Sequence, residues 1–291
     1  MALNFKNTYV YNFDGAFRGM RNPLNSWAKS DSYFGLTNYE SYEDITVAEK
    51  WVETKAPALD PASKEYADRL TDTDAALLEN GILKRDDHDT AFDVAFIGPA
   101  DMKLAQNLIK AGNSDAKFLR QIFISTDITG PAYWLAELDT YKIATTRNST
   151  SLQHKGMSRD YTIDDFSIDK IQLFPVNDTN SATVDSYKDL QTIIDIVNKY
   201  RQLYTQTKDY TYFRIMRQLL PMGYNYTITW SGSYANLRNI YFQRKKHKLT
   251  EWSVDFIKWI ETLPYAKQLI TWEDDYDTYF LKKNKLWESK N

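Results

Sequence analysis

Apolar positions along the chain fall into runs of helical or strand period separated by polar breaks. From Pro99 to Ala111 the residues Met102, Ala105, Leu108 and Ile109 recur at spacings of helical turns, and Gly112 follows as a stop, so a helix is predicted there. Phe118 to Ile128 reads as a strand, because Ile122, Phe123 and Ile124 sit in a β-rich run closed by Gly130-Pro131. Pro131 then opens a second helix, in which Trp134, Leu138 and Tyr141 make one stripe with Glu137 and Lys142 beside it. That helix is expected to run into the polar cluster Asn148-Ser149-Thr150-Ser151, read as a helix end and loop.

Farther along, Val184 to Leu203 carries Leu190, Ile193, Ile194 and Val197 on one helical face, and Tyr210 to Leu220 continues as a helix stopped by Pro221. Tyr226 to Trp230 is a short strand. Tyr234 to Arg244 sets Leu237, Ile240 and Tyr241 on one face with Arg238 and Arg244 elsewhere, and Glu251 to Leu263 is the last amphipathic helix. Upstream, residues 61–83 show helical turns around the capping cluster Thr71-Asp72-Thr73-Asp74, while residues 1–60, with weak periodicity, read as an irregular arm. The fold class is α+β, mixed, in one elaborated unit: an arm and insertion at 1–95, a core at 96–270 and a tail at 271–291.

Composition narrows the chemistry. With 36 basic and 39 acidic side chains the formal charge is −3, which argues against the positive field that a nucleic-acid polymer requires as partner. There is no cysteine, so disulfides, thiolate metal sites and a cysteine nucleophile are excluded together. The histidines, His88, His154 and His247, lack metal-ligand spacing, and no metal is expected. The acidic tail from Trp272 lacks the glycine and terminal glutamate of a calcium loop. Redox or transfer chemistry would fall to a bound cofactor, yet no G-x-G-x-x-G phosphate loop occurs. The first residues lack the apolar core of a signal peptide, and nowhere do about 18 apolar residues run together, so a cytoplasmic protein without membrane contact is expected.

One ordered set of residues points further. Arg217-Gln218-Leu219-Leu220-Pro221, Thr229-Trp230, Asn236-Leu237-Arg238, Arg244 and Glu251 resemble, in this order, the C-terminal signature of the flavin-dependent thymidylate synthase (ThyX) family. Upstream, a helix, Gly112-Asn113-Ser114, a strand, Pro131 and Trp134 continue the likeness, which spans about residues 100–263. The chain departs from the family's Arg-His-Arg triplet, where Thr140, Tyr141 and Lys142 stand, and Leu152 replaces a substrate-gripping arginine. Ser158-Arg159-Asp160-Tyr161 offers a replacement through a loop insertion.

The resemblance implies a ThyX-like fold, a central antiparallel sheet flanked by helices, with an N-terminal extension. It implies methylation of carbon 5 of deoxyuridine monophosphate, with methylenetetrahydrofolate as carbon donor and reduced FAD, regenerated by NADPH, as hydride source. By residue, it implies Arg244 as the catalytic guanidinium and Glu137, Ser149, Thr150, Ser151, Arg217 and Arg244 as contacts to the pyrimidine deoxynucleotide. Ser114, Thr140, Tyr141, Lys142, Asn236 and Arg238 fall at flavin positions. The family's homotetrameric assembly and shared sites are implied as well. Runs such as Glu137–Lys142 are similar to phage proteins, which implies a virus-encoded branch acting in the bacterial cytoplasm. The alternative reading is an altered or inactive protein of the same fold that binds a nucleotide or a host protein. Taken singly, each arginine also reads as a solvated surface charge, and Trp134, Tyr141 and Trp230 as core aromatics.

Overall fold

The computed structural model describes residues 3–37, 92–173 and 184–273. The helical turns expected at 61–83 and most of the 271–291 tail lie outside the described residues. In chain order the elements are β1 (Asn4–Tyr11), α1 (Phe13–Arg21), β2 (Tyr33–Thr37), β3 (Phe92–Phe96), α2 (Pro99–Ala111), β4 (Phe123–Pro131), α3 (Ala132–Leu138) and β5 (Thr146–Ser149). There follow α4 (Leu152–Lys155), β6 (Gln172–Leu173), β7 (Val184–Asp185), α5 (Ser186–Thr207), α6 (Tyr210–Leu219), β8 (Asn225–Ser233), α7 (Tyr234–Arg244) and α8 (Ile257–Glu261). The mixed α+β class is the expected one. Among the described residues no helix is long and apolar enough to cross a membrane.

Two compact units make up the chain: Met1–Thr8 with Ser125–Ser231, and Tyr9–Ile124 with Gly232–Asn291. The first carries most of a four-stranded sheet in the order β1-β4-β8-β5, with β5 antiparallel to β8. Along β8, Thr227 and Thr229 are exposed while Ile228 and Trp230 are buried, the alternation that gives a strand one dry face and one wet face. Tyr161 and Phe166 form an apolar cluster in this unit with Leu190, Ile194 and Val197 of α5 and Phe213 and Met216 of α6.

Both helices start as their sequence demands. Asp185 accepts from the backbone N–H groups of Tyr187 and Lys188 at 3.1 Å, and Asp209 accepts from Thr211 at 2.9 Å, each satisfying donors a helix start leaves open. Ile193, expected on the buried face of α5, is 42% exposed. Leu190, Ile194 and Val197 follow the i, i+4, i+7 stripe, and Ile193 lies about 100° round the helix from Ile194.

The second unit corrects the expectation of an irregular arm at its start. Phe13, Ala16, Phe17 and Met20 of α1 are buried, and their spacing is that of a helical stripe. Phe13 meets Tyr234 and Tyr265 edge-on at 5.8 and 5.9 Å between ring centroids, and Phe17 meets Phe118 at 5.8 Å. Asp31 accepts from the backbone N–H groups of Ala100 and Asp101 at 2.8 and 3.0 Å, capping α2, which ends at Gly112 with φ 116°.

Other boundaries shift for local reasons. The strand expected from Phe118 begins at Phe123, because Ala116, Phe118 and Leu119 are buried in a 3-10 turn over Ala116–Arg120. Pro131 ends β4 and sits just before α3, whose first N–H groups, on Ala132 and Tyr133, donate to the carbonyls of Tyr224 and Met222. The cluster around Asn148 forms not a helix end but the edge strand β5. The expected helix from Glu251 begins as a wide π-helical turn, Glu251–Phe256, before α8.

Candidate functional site

The first unit holds Glu137, Ser149, Thr150, Ser151 and Arg217, the nucleotide-matched residues other than Arg244. Ser149 pairs with Ile228, and the Thr150 N–H extends the ladder to the Thr227 carbonyl at 2.9 Å. Ser151, exposed, stands at the start of α4 without using its hydroxyl as a cap. Glu137 is half-buried in the last turn of α3, and the Thr140 hydroxyl donates to its carbonyl at 2.8 Å. Arg147 reaches back from β5 to Asp139 at 2.7 Å, so the segment between α3 and β5 is closed on itself. Within it Tyr141 is half-buried and Lys142 exposed, and Ala144 takes the left-handed conformation at φ 57°.

Arg217 lies in the last turn of α6, and the Pro221 turn leads from there to β8. Its guanidinium is exposed and stands 5.9 Å from the centre of the Phe213 ring. Among the described residues no hydrogen bond or ion pair engages it. Burial raises the Tyr226 hydroxyl above the ordinary tyrosine range, and the charge of Arg217 acts against that rise. A cation and a half-buried phenol thus share one neighbourhood.

An aromatic cluster supports this end of the unit. Tyr224 packs edge-on against Tyr161, Phe166 and Tyr226, with centroids 5.5, 5.6 and 5.0 Å away. The sequence reading missed Tyr224 and Tyr226; the alternation Tyr224-Asn225-Tyr226 after a proline turn was the available signal. Arg159, offered as a replacement for a lost arginine, donates through both terminal nitrogens to Asp165 at 2.8 and 2.5 Å. Leu152, where the family pattern has an arginine, is buried and apolar.

The second unit holds the remaining matched residues, and there the polar atoms are engaged. Ser114 donates to Asp115 at 3.0 Å. Asn236 closes a capping box with Ser233, its Oδ1 accepting from the Ser233 N–H at 3.0 Å and hydroxyl at 2.7 Å. Arg238 Nη1 donates to the carbonyls of Ile270 at 2.7 Å and Trp272 at 2.8 Å, and its guanidinium stacks 4.7 Å from the Phe242 ring centre. Arg244 stands over Trp252 at 4.9 Å. Six positions along a helix put Arg238 and Arg244 about 120° apart round α7, so those two arginines serve different faces. In this arrangement the residues matched to flavin contacts do not fit the group: Arg238, Asn236, Ser114 and Thr140 all have polar atoms bonded within the chain. Among the described residues no cluster of side chains could hold a metal ion.

No family model and no curated protein matches the chain. Among solved structures it is similar to thymidylate synthase X (ThyX) from Helicobacter pylori with FAD and dUMP, with TM-score 0.50 and 15% identity, covering 93% of this chain and 97% of that one. A second Helicobacter pylori structure, a flavin-dependent thymidylate synthase ThyX complexed with FAD and dUMP, gives TM-score 0.42 and 16% identity over 81% and 95% of the two chains. The UMP/dUMP methylase PolB from Streptomyces cacaoi, bound with 5-Br UMP, gives TM-score 0.42 and 10% identity over 59% and 84%. At these identities the likeness is one of architecture, and it agrees with the fold expected from the ordered arginine and asparagine positions: the chain has the fold of the flavin-dependent thymidylate synthase ThyX.

Proposed function

We propose that this chain binds a pyrimidine nucleoside monophosphate, deoxyuridylate first among them, and methylates its carbon 5. The observation that carries the reading is Arg217: an exposed guanidinium beside Tyr226, in the same unit as the hydroxyls of Ser149, Thr150 and Ser151 and the carboxylate of Glu137. A forked cation with neighbouring hydroxyl and backbone donors is what a phosphate monoester needs. The ThyX likeness supports the choice of nucleotide, since that Helicobacter pylori protein holds dUMP.

In this reading Arg217 and the hydroxyls of Ser149, Thr150 and Ser151 grip the phosphate, and Glu137 faces the base. Carbon 5 becomes nucleophilic as negative charge grows on the ring, and a fixed guanidinium near the ring oxygen lowers that barrier. The resemblance assigns this role to Arg244, which stands over Trp252 in the second unit. With no cysteine in the chain, attack by an enzymatic thiolate is excluded. Methylenetetrahydrofolate would supply the carbon and FAD, reduced by NADPH, the hydride; a homotetramer with shared sites belongs to the same proposal.

Tritium release from carbon-5-labelled deoxyuridylate, with folate donor, NADPH and FAD present, tests the activity. Release above a no-protein control supports it, and Arg244→Ala is expected to remove it. A second reading is favoured by the internal bonding of Arg238 and Asn236: a protein that keeps the nucleotide site without catalysis. It predicts thermal stabilisation by deoxyuridylate, since a ligand bound only to the native state stabilises by mass action, with no tritium release under any condition.

A further inference from the structure

In the first unit the ladder between β5 and β8 runs one step past the end of β5. Ser149 pairs with Ile228, and the Thr150 N–H donates to the Thr227 carbonyl at 2.9 Å, so the next position of the register sets Ser151, still extended, opposite Tyr226. Successive residues of a strand point to opposite faces, which puts Ser149, Ser151 and Tyr226 on one face and Thr150 and Thr227 on the other. Because Thr150 and Thr227 exchange a backbone bond, Ser151 and Tyr226 form a non-hydrogen-bonded pair, the kind whose side chains stand closer, with Cβ atoms about 4.5–5.5 Å apart.

The Tyr226 ring is fixed in place. It meets the Tyr224 ring edge-on with centroids 5.0 Å apart, and Tyr224 packs against the cluster that contains Phe213, the ring over which Arg217 stands at 5.9 Å. The charge of Arg217 is felt at the Tyr226 hydroxyl, and Ser151 lies across the ladder from it, so Tyr226 adjoins both. Among the described residues no hydrogen bond engages the hydroxyls of Ser149, Ser151 or Tyr226 or the guanidinium of Arg217. A partly buried phenol ordinarily finds a partner, and an anion would supply one. Burial holds this phenol above the ordinary tyrosine range, so it keeps its proton and meets an anion as a donor.

We propose that Tyr226 is a further phosphate-binding residue: its hydroxyl donates to the same phosphate monoester as the Arg217 guanidinium and the Ser151 hydroxyl. The inference rests on the proposed function, in which a pyrimidine nucleoside monophosphate is the ligand. Arg217, exposed at a helix end, supplies the charge. Tyr226 and Ser151, set by a paired ladder, supply direction, because a hydroxyl donor to an ionised acceptor is strong only when it is aimed.

Calorimetry on the full chain compares the wild type with Tyr226→Phe, which keeps the ring against Tyr224 and removes the hydroxyl alone. Expected is deoxyuridylate binding about tenfold weaker in Tyr226→Phe, with uncharged deoxyuridine bound equally by both. Thr227→Val removes a hydroxyl from the opposite face of the sheet, one that pairs with Thr129 at 2.8 Å, and leaves deoxyuridylate affinity unchanged. Equal deoxyuridylate affinity in the wild type and Tyr226→Phe overturns the role of Tyr226 and leaves the proposed function standing. An equal loss in Thr227→Val, or weaker deoxyuridine binding in Tyr226→Phe, overturns that role as well. No deoxyuridylate binding by the wild type overturns the proposed function instead. Inorganic phosphate, followed by phosphorus NMR, then decides the anion site: weaker phosphate binding in Tyr226→Phe upholds it, and equal or absent binding overturns it.

Discussion

Arg21 and Asp101, 80 positions apart in sequence, form a buried ion pair in which Nε and Nη2 of the guanidinium both donate to Oδ1 at 2.5 Å. The other carboxylate oxygen accepts from the hydroxyls of Ser30 at 2.6 Å and Ser32 at 2.5 Å, so both oxygens have partners. Removing one member strands a charge out of water, at a cost of about 3–5 kcal/mol. Arg21→Ala is accordingly expected to lose that much unfolding free energy in urea, whereas Arg18→Ala, whose partner Asp14 is exposed, changes it by less than about 0.5 kcal/mol.

Neighbouring isoleucines of α5 give a sharper contrast. Ile194 is fully buried in the first unit's cluster and Ile193 is 42% exposed. Ile194→Ala is expected to destabilise by about 2–5 kcal/mol and Ile193→Ala by less than about 1 kcal/mol. Denaturant midpoints of the two variants check it; equal losses would put the helix in the wrong rotation.

Apolar periodicity made α2, α5, α6, β8 and α7 legible, because each buries one stripe or alternates cleanly. It did not reveal β5, whose four residues are all exposed: an edge strand of Thr, Arg, Asn and Ser has no apolar alternation to read. Nor did it reveal α1, although Phe13, Ala16, Phe17 and Met20 lie at helical spacing, since the Asn and Tyr residues around them pointed to irregular chain. At the candidate site, Arg217 could be found from its order within a signature. The engagement of Arg238 could not, because its partners are backbone carbonyls, which any sequence supplies.

Acid should loosen the first unit through Asp165. Burial alone would raise its carboxyl, but hydrogen bonds from Arg159 and from the Thr162 backbone outweigh burial and hold it below the usual carboxylate range. A carboxylate depressed in the folded state stabilises above its unfolded value, near pH 4, and that contribution is lost as pH falls through the folded value. Asp165→Asn should therefore be less stable than wild type at pH 7, by no more than about 1 kcal/mol given the exposure of Arg159. The two proteins should converge toward pH 2, as thermal unfolding across the range will show.

Phosphate recognition by Arg217 has its own test. Losing one charge-assisted contact costs about 1.5–3 kcal/mol, so Arg217→Ala should weaken deoxyuridylate binding by about 10- to 100-fold in calorimetry. Uncharged deoxyuridine should bind both proteins equally, and a loss of nucleoside affinity in the variant would assign Arg217 to something other than the phosphate.

The sheet order gives β1 a duty beyond its own eight residues. As the outermost member beside β4 it shields that strand's backbone, and the Asn7 amide and Thr8 hydroxyl reach across to Asp127 and Thr126 at 2.7 and 2.8 Å. Trimming the chain back to Asn12 would bare a row of unsatisfied amides and carbonyls next to the buried Ile124 and Ile128, a ready template for intermolecular pairing, so aggregation rather than simple loss of stability is the failure such a shortened protein would show.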